Sequence, residues 1–233
     1  MEGPSEIDQA PDPPRQRWRL FLSRASDAPP LAGRELSDTW EGALEATGLP
    51  LFRGIGRTRA RVAFGAPIPA ALRAERELAD IVLTRSLPAW QVREALLAQV
   101  PSGWRLLDLH DVWLGEPALA AQVAAADYRI EVGAPDVAKI AAAAQALLVA
   151  RELPRERLKG GSMVGYDLRP LLIDVFVAAA GPPLLIRTRT RFDPVLGTGR
   201  PEEVVAALGA AAETPLVVSS MVRERLILAV DLG

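Results

Sequence analysis

Cysteine is absent from the 233 residues, so the chain can hold no disulfide, no thiolate nucleophile and no cysteine-ligated zinc or iron–sulfur cluster. Histidine occurs once, at His110, too few for a site built from several imidazoles. Lysine occurs only at Lys139 and Lys159, which leaves the positive charge almost wholly to arginine. Aromatic residues make up 5%, a small stock for a surface that stacks on bases. The longest apolar run, Leu171–Ala180, is interrupted by Asp174 and falls short of the roughly 20 residues that a membrane-spanning helix needs. Residues 1–14 are acidic and proline-rich, without the basic start and apolar stretch of a secretory signal. The expectation is a cytoplasmic protein with no membrane contact, no metal and no cofactor.

Hydrophobic residues account for 49% of the chain, enough for one large core or two small ones. A net charge of -2 excludes a wholesale polybasic binder but averages over local clusters.

Residues 1–14 carry Pro4, Pro11, Pro13 and Pro14 and read as a disordered tail. From Arg17 the pattern is regular. Trp18, Leu20 and Leu22 alternate with Arg17, Arg19 and Phe21, predicting a strand with one apolar face. Leu36, Trp40, Ala43 and Leu44 predict a helix stopped at Gly48. Arg57–Gly65 alternates again, and Leu78–Thr84 predicts a third strand. Pro88 opens a helix with Val92, Ala95, Leu96 and Val100 on its face, and Trp104–Leu114 predicts a fourth strand. The order is β-α-β-β-α-β. The second half repeats it: a strand at Tyr128–Val132, a helix after Pro135, and a hairpin of Leu171–Ala178 with Leu184–Phe192. A helix from Pro201 to Ala212 and an extended segment over Leu216–Val230 complete it. Residues 151–170 fit either a functional loop or an added strand. The fold class expected is α+β: two tandem ferredoxin-like (βαββαβ) halves with antiparallel sheets, residues 15–116 and 117–233.

Several strings in this order resemble a bacterial family, the radical SAM-linked proteins. They are Trp18-Arg19-Leu20-Phe21, Arg61-Val62-Ala63-Phe64-Gly65-Ala66-Pro67-Ile68-Pro69, Glu77-Leu78-Ala79-Asp80 and Val100-Pro101-Ser102-Gly103-Trp104. Tyr128-Arg129-Ile130, Asp167-Leu168-Arg169-Pro170 and Gly199-Arg200-Pro201-Glu202 extend the likeness to nearly the whole chain. The resemblance implies a partner, a radical S-adenosylmethionine enzyme encoded beside or fused to the chain. One departure is plain. The family's Ser-Gln-Gly-Phe-Asn-Pro-like loop is replaced here by Arg53-Gly54-Ile55-Gly56-Arg57-Thr58, and its Ser-His-Leu-Asp-like helix start has at best Leu36-Ser37-Asp38. A second likeness joins Gly56-Arg57-Thr58-Arg59-Ala60 to the Gly-Arg-Thr-Asp-Ala active-site string of tRNA pseudouridine synthases. Arg59 stands where the nucleophilic aspartate would be, and an arginine cannot do that work.

Rows of arginine are the candidate site. Arg57, Arg59 and Arg61 share one face of a predicted strand, Arg187, Arg189 and Arg191 another, and Arg17, Arg19 and Arg53 add to the first set. On the open face of a sheet, such rows suit phosphate contacts and make RNA a candidate partner. The competing reading is that they are solvated gatekeepers against strand pairing. Lys159, Asp167, Arg169 and Arg200 form a candidate cluster in the second half, against a structural ion pair as the plainer account. Gly54-Ile55-Gly56 and Gly197-Thr198-Gly199 lack phosphate-loop spacing and read as turns. His110, between Asp108 and Asp111, reads as a surface residue rather than a base. No catalytic residue is assigned. The function expected is an accessory, non-catalytic module that works with a radical SAM enzyme and presents RNA to it. The alternatives are an RNA-modifying enzyme of pseudouridine-synthase-like architecture and a purely structural adaptor.

Overall fold

The structure, a computed structural model, describes residues 12–54, 58–133, 136–159 and 161–232. Most of the tail expected at 1–14 lies outside the described residues. The chain is a mixed α+β protein whose strands pair mostly antiparallel, with five α-helices among the described residues. It divides into two compact units. Unit 1 takes the chain through Ala71 and then Arg76–Ala121, and unit 2 takes Leu72–Glu75 and the chain from Gln122 on.

Unit 1 is built in the order β1 (Gln16–Arg24), α1 (Gly33–Ala46), β2 (Ala63–Phe64), β3 (Arg73–Leu83), α2 (Ala89–Leu97) and β4 (Trp104–Val112). Its strand neighbours run β4-β1-β3-β2. Trp18, Leu20 and Leu22 recur with period two and are buried, while Leu36, Trp40 and Leu44 recur every four residues and put one stripe of α1 on the same core. Trp40 meets Trp104 edge-on at 5.4 Å, a geometry that contributes about 0.5–1.5 kcal/mol beyond its buried area. Gly48 ends the α1 region at φ +67, a left-handed conformation that side chains with a Cβ resist.

The alternating stretch 57–65 is not the strand its pattern predicts. Only Ala63 and Phe64 pair, with Asp80 and Ala79, while 58–62 is irregular and Arg57 lies outside the described residues. The edge of β3 explains this. Leu51 bridges Leu83, Phe52 donates its N–H to Val82 O, and Thr84 donates to Pro50 O, so residues 50–52 occupy the edge that a longer β2 would need. The N–H of Ala60 goes instead to the Glu45 carboxylate at 2.9 Å.

Unit 2 follows a short α3 (Leu119–Gln122). It holds β5 (Val123–Val132), α4 (Val137–Val149), β6 (Pro154–Lys159), β7 (Ser162–Asp167), β8 (Leu172–Ala179), β9 (Leu184–Asp193), β10 (Gly197–Thr198), α5 (Pro201–Ala211) and β11 (Val218–Leu228). Neighbours run β11-β5-β9-β8, all antiparallel, and β10 pairs with the end of β9. Val222 and Arg223 add a parallel pairing with Arg73 and Ala74, the residues of β3 that group with this unit. Ile130, Ile140, Leu147, Val175, Ile186 and Leu208 are buried in its core. Residues 151–170, read as a loop or an added strand, contain a separate hairpin: β6 pairs with β7 from Pro154↔Asp167 to Lys159↔Ser162 as a two-stranded sheet. No helix among the described residues is long and apolar enough to cross a membrane.

Candidate functional site

Arg17 and Arg19 do not lie on an open face. Their side chains are 9% and 6% exposed and converge on Asp80 of β3, itself 3% exposed. Arg17 Nε donates to Asp80 Oδ2 at 2.7 Å, and Arg19 donates through Nε to Oδ1 at 2.9 Å and through Nη2 to Oδ2 at 3.2 Å. The chain after β4 covers them: Arg17 donates to the carbonyls of Glu116 and Pro117 at 3.0 Å each, and Glu116 Oε2 lies 3.7 Å from Arg19. Each buried guanidinium is thereby paired and hydrogen-bonded, the condition under which burial of charge is tolerated. The expectation that Arg17 and Arg19 stand on an open sheet face is corrected accordingly.

Arg53, Arg59 and Arg61 remain exposed. Arg53 donates to Glu45 Oε2 at 2.6 Å. The Glu45 carboxyl is held below its usual range, first by the Ala60 N–H and, against the opposing effect of burial, by Arg53 and Arg59. Among the described residues Arg61 makes no hydrogen bond or ion pair. Arg53 and Arg61 line a cavity of about 420 Å³ whose charged residues are Arg17, Arg53, Arg61 and Asp80. Its apolar wall includes Phe52, Val82, Leu114 and Leu119. The sequence pattern therefore names three of the cavity's charged residues, but Asp80 escaped it because the carboxylate's partners lie more than 60 residues away.

In unit 2, Arg187 meets a carboxylate on β11, two strands away, and Arg189 one on the neighbouring β5. Arg189 donates to Asp127 Oδ1 at 2.7 Å, and Arg225 donates to the Oδ2 of the same residue at 2.8 Å. Arg129 bridges Glu75 and Glu224, and Arg187 reaches Glu224 at 3.1 Å. Burial would raise the Asp127 carboxyl, but the bonds from Arg189 and Arg225 outweigh it and the group sits below its usual range. Arg129 is raised, chiefly by the bond it donates to Glu75, and Arg189 chiefly by the one it donates to Asp127. Arg191 is half-buried opposite Ala125 on β5 and acts electrostatically on Asp193. The row is thus one half of a mixed-charge lattice. Arg129 and Arg225, its other cations, carried a sequence signal only in their own alternation with Tyr128 and Ile130 or Val222 and Leu226.

Of the candidate cluster of Lys159, Asp167, Arg169 and Arg200, the structure joins Asp167 and Arg169 directly. Asp167 accepts the backbone N–H groups of Leu153 and Arg169, at 2.7 and 2.9 Å. Arg169 donates to the carbonyls of Leu148, Ala150 and Leu172. The two residues tie the ends of the β6–β7 hairpin to α4 and β8. Arg200 is exposed at the start of α5, and the side chain of Lys159 lies outside the described residues. His110 is exposed on β4, 3.1 Å from Asp108 and tilted against Phe21. Gly199 is packed so closely that an added Cβ would stand 2.6 Å from Leu171 O, which accounts for a glycine there without any ligand. Among the described residues no three acidic or histidine side chains gather to hold a metal ion.

No curated protein matches the sequence. Among solved structures, a chain of a Cbf5-Nop10-Gar1 complex is similar in fold, with a TM-score of 0.50, 10% sequence identity, and coverage of 88% of this chain and 48% of that one. The chain therefore spans just under half the length of that relative. A family model matches residues 18–203, most of both units. The chain belongs to that family, described as an uncharacterized protein conserved in bacteria (DUF2344).

Proposed function

We propose that the chain is a non-catalytic accessory module that works beside a radical SAM enzyme, and that it meets its partner through the mixed-charge face of unit 2. The partner class comes from the resemblance of the sequence strings to radical SAM-linked proteins. The observation that carries the contact surface is the lattice of Arg129, Arg187, Arg189 and Arg225 against Glu75, Asp127 and Glu224. Charge that alternates in sign on one face suits a protein partner of complementary pattern, because such patterns steer encounter and set register. It suits a polyanion poorly, since each arginine already faces a carboxylate. We read each unit as a ferredoxin-like half. The orders β4-β1-β3-β2 and β11-β5-β9-β8 support this, since both put the first strand of the unit between its fourth and third.

The test is capture of the radical SAM enzyme from the source bacterium by the tagged chain. Arg187 and Arg225 are 48% and 55% exposed, and their loss leaves Glu224 with Arg129 and Asp127 with Arg189. Arg187→Glu with Arg225→Glu is expected to abolish capture while leaving the melting temperature near that of the wild type, and capture by the wild type should weaken with salt. Capture that is indifferent to both changes refutes the assigned face.

A second reading, RNA contact, is favoured by one observation: Arg53, Arg59 and Arg61 are exposed, and among the described residues Glu45 is the one carboxylate set against Arg53 and Arg59. The enzymatic version keeps its difficulty, because Arg59 occupies the nucleophile's place in the pseudouridine-synthase string.

A further inference from the structure

We propose that the unit 1 cavity binds a nucleoside 5′-monophosphate, either free or as the phosphorylated end of an RNA strand. In the second form the inference rests on the RNA reading above, and in the first it does not.

Four observations carry it. The cavity's volume, about 420 Å³, falls in the range of sites that enclose small molecules. Its charge is one-sided at the mouth. Arg17 and Arg19 are balanced inside by Asp80 and Glu116; of the two exposed arginines in the lining, Arg53 donates to Glu45, while Arg61 meets no carboxylate among the described residues. That leaves one exposed lining guanidinium unanswered, a place for an anionic group such as a phosphate monoester. Guanidinium groups also fit phosphate oxygens in paired hydrogen bonds.

The wall supplies the rest of the ligand's environment. Phe52, Val82, Leu114 and Leu119 give an apolar surface with one aromatic ring, and any nucleobase can stack on such a ring. The floor is polar and fixed. Arg17 is held by Asp80 and two carbonyls, and among the described residues Asp80 Oδ1 accepts a single bond, from Arg19. A carboxylate oxygen has room for about two, so the floor keeps acceptor capacity for an N–H or O–H of the ligand. A site that offers phosphate-binding cations at its mouth, an aromatic wall, and an acceptor at its base matches the three parts of a nucleotide.

The experiment titrates the full chain calorimetrically with adenosine 5′-monophosphate, adenosine and inorganic phosphate at one salt concentration. In parallel it follows the anisotropy of a short RNA carrying either a 5′-phosphate or a 5′-hydroxyl. The expected result is that adenosine 5′-monophosphate binds at least about tenfold more tightly than phosphate or adenosine. Arg53→Ala with Arg61→Ala should lose at least that factor. Ala118→Trp, at an exposed position on the cavity wall, should block binding without changing the melting temperature. Tight mononucleotide binding assigns the free nucleotide. Weak mononucleotide binding with a clear preference for the 5′-phosphorylated strand assigns the RNA end. The proposal is overturned if the mononucleotide binds no better than phosphate and the RNA shows no 5′ preference, or if the variants bind as the wild type does. RNA binding indifferent to the 5′ group overturns this site while leaving the broader RNA reading standing.

Discussion

At the scale of single residues, Asp80 does the most with the least exposure. One carboxylate receives hydrogen bonds from two guanidinium groups that are themselves almost wholly buried. Much of the desolvation cost of the three charges is offset by this mutual pairing and by the carbonyls that take the remaining N–H groups of Arg17. Removing the acid alone leaves two adjacent buried cations, with Glu116 3.7 Å from Arg19. Asp80→Ala is therefore expected to lower stability by about 3–5 kcal/mol, the range found when one partner of a buried ion pair is deleted. Replacing all three, as Arg17→Met, Arg19→Met and Asp80→Leu, should recover much of that loss, because no charge is left unpaired. Urea unfolding followed by circular dichroism measures both. A triple variant that is less stable than Asp80→Ala would show that packing, not charge, dominates here.

At the scale of elements, the helices differ in how they begin. α4 starts at Asp136, whose carboxylate accepts the N–H groups of Ala138 and Lys139 at 3.0 and 3.3 Å, whereas α1, α2 and α5 start without a side-chain cap. Asp136→Ala should then cost about 1 kcal/mol, read as a shift in the urea midpoint at constant slope; Arg200→Ala, at the start of α5, should cost less than half of that. What was legible in the sequence divides along the same lines. Elements with a repeating apolar stripe, such as β1, α1, β4, α4 and β9, were legible because burial on one side imposes its period on local residues. The start of β3 was not, because Arg73-Ala74-Glu75-Arg76-Glu77 reads as a polar run. The shortness of β2 was not, because the competing edge partner is 50–52. The arginine rows were legible as rows, but the carboxylates that accept from Arg17, Arg19, Arg187 and Arg189 lie 37 to 63 residues away, and local spacing carries no record of such pairings.

At the scale of the whole molecule, a net charge of -2 hides two unlike sets of arginines, and salt dependence can tell them apart. Each phosphate contact made by a cation releases condensed counterion, so affinity for a single strand falls with salt by a slope of about 0.7 per contact. Among the described residues Arg53 and Arg59 face one carboxylate, Glu45, and Arg61 faces none, so on the RNA reading they can make such contacts. Arg187 and Arg189 face Glu224 and Asp127, and a phosphate would have to displace a carboxylate that the fold holds in place. Replacing Arg53, Arg59 and Arg61 with alanine should therefore reduce the salt slope by about two to three contacts' worth. Replacing Arg187, Arg189 and Arg191 should reduce it by less than one, even though both triple variants change the net charge equally. That equality is what makes the comparison decisive, since a nonspecific attraction to total charge would move both curves together. Anisotropy titrations of a single-stranded RNA at four or more salt concentrations read the slopes directly. Coincident curves for the wild type and the Arg53, Arg59 and Arg61 variant would mean that these residues only keep the surface soluble, and RNA would cease to be a partner of this face.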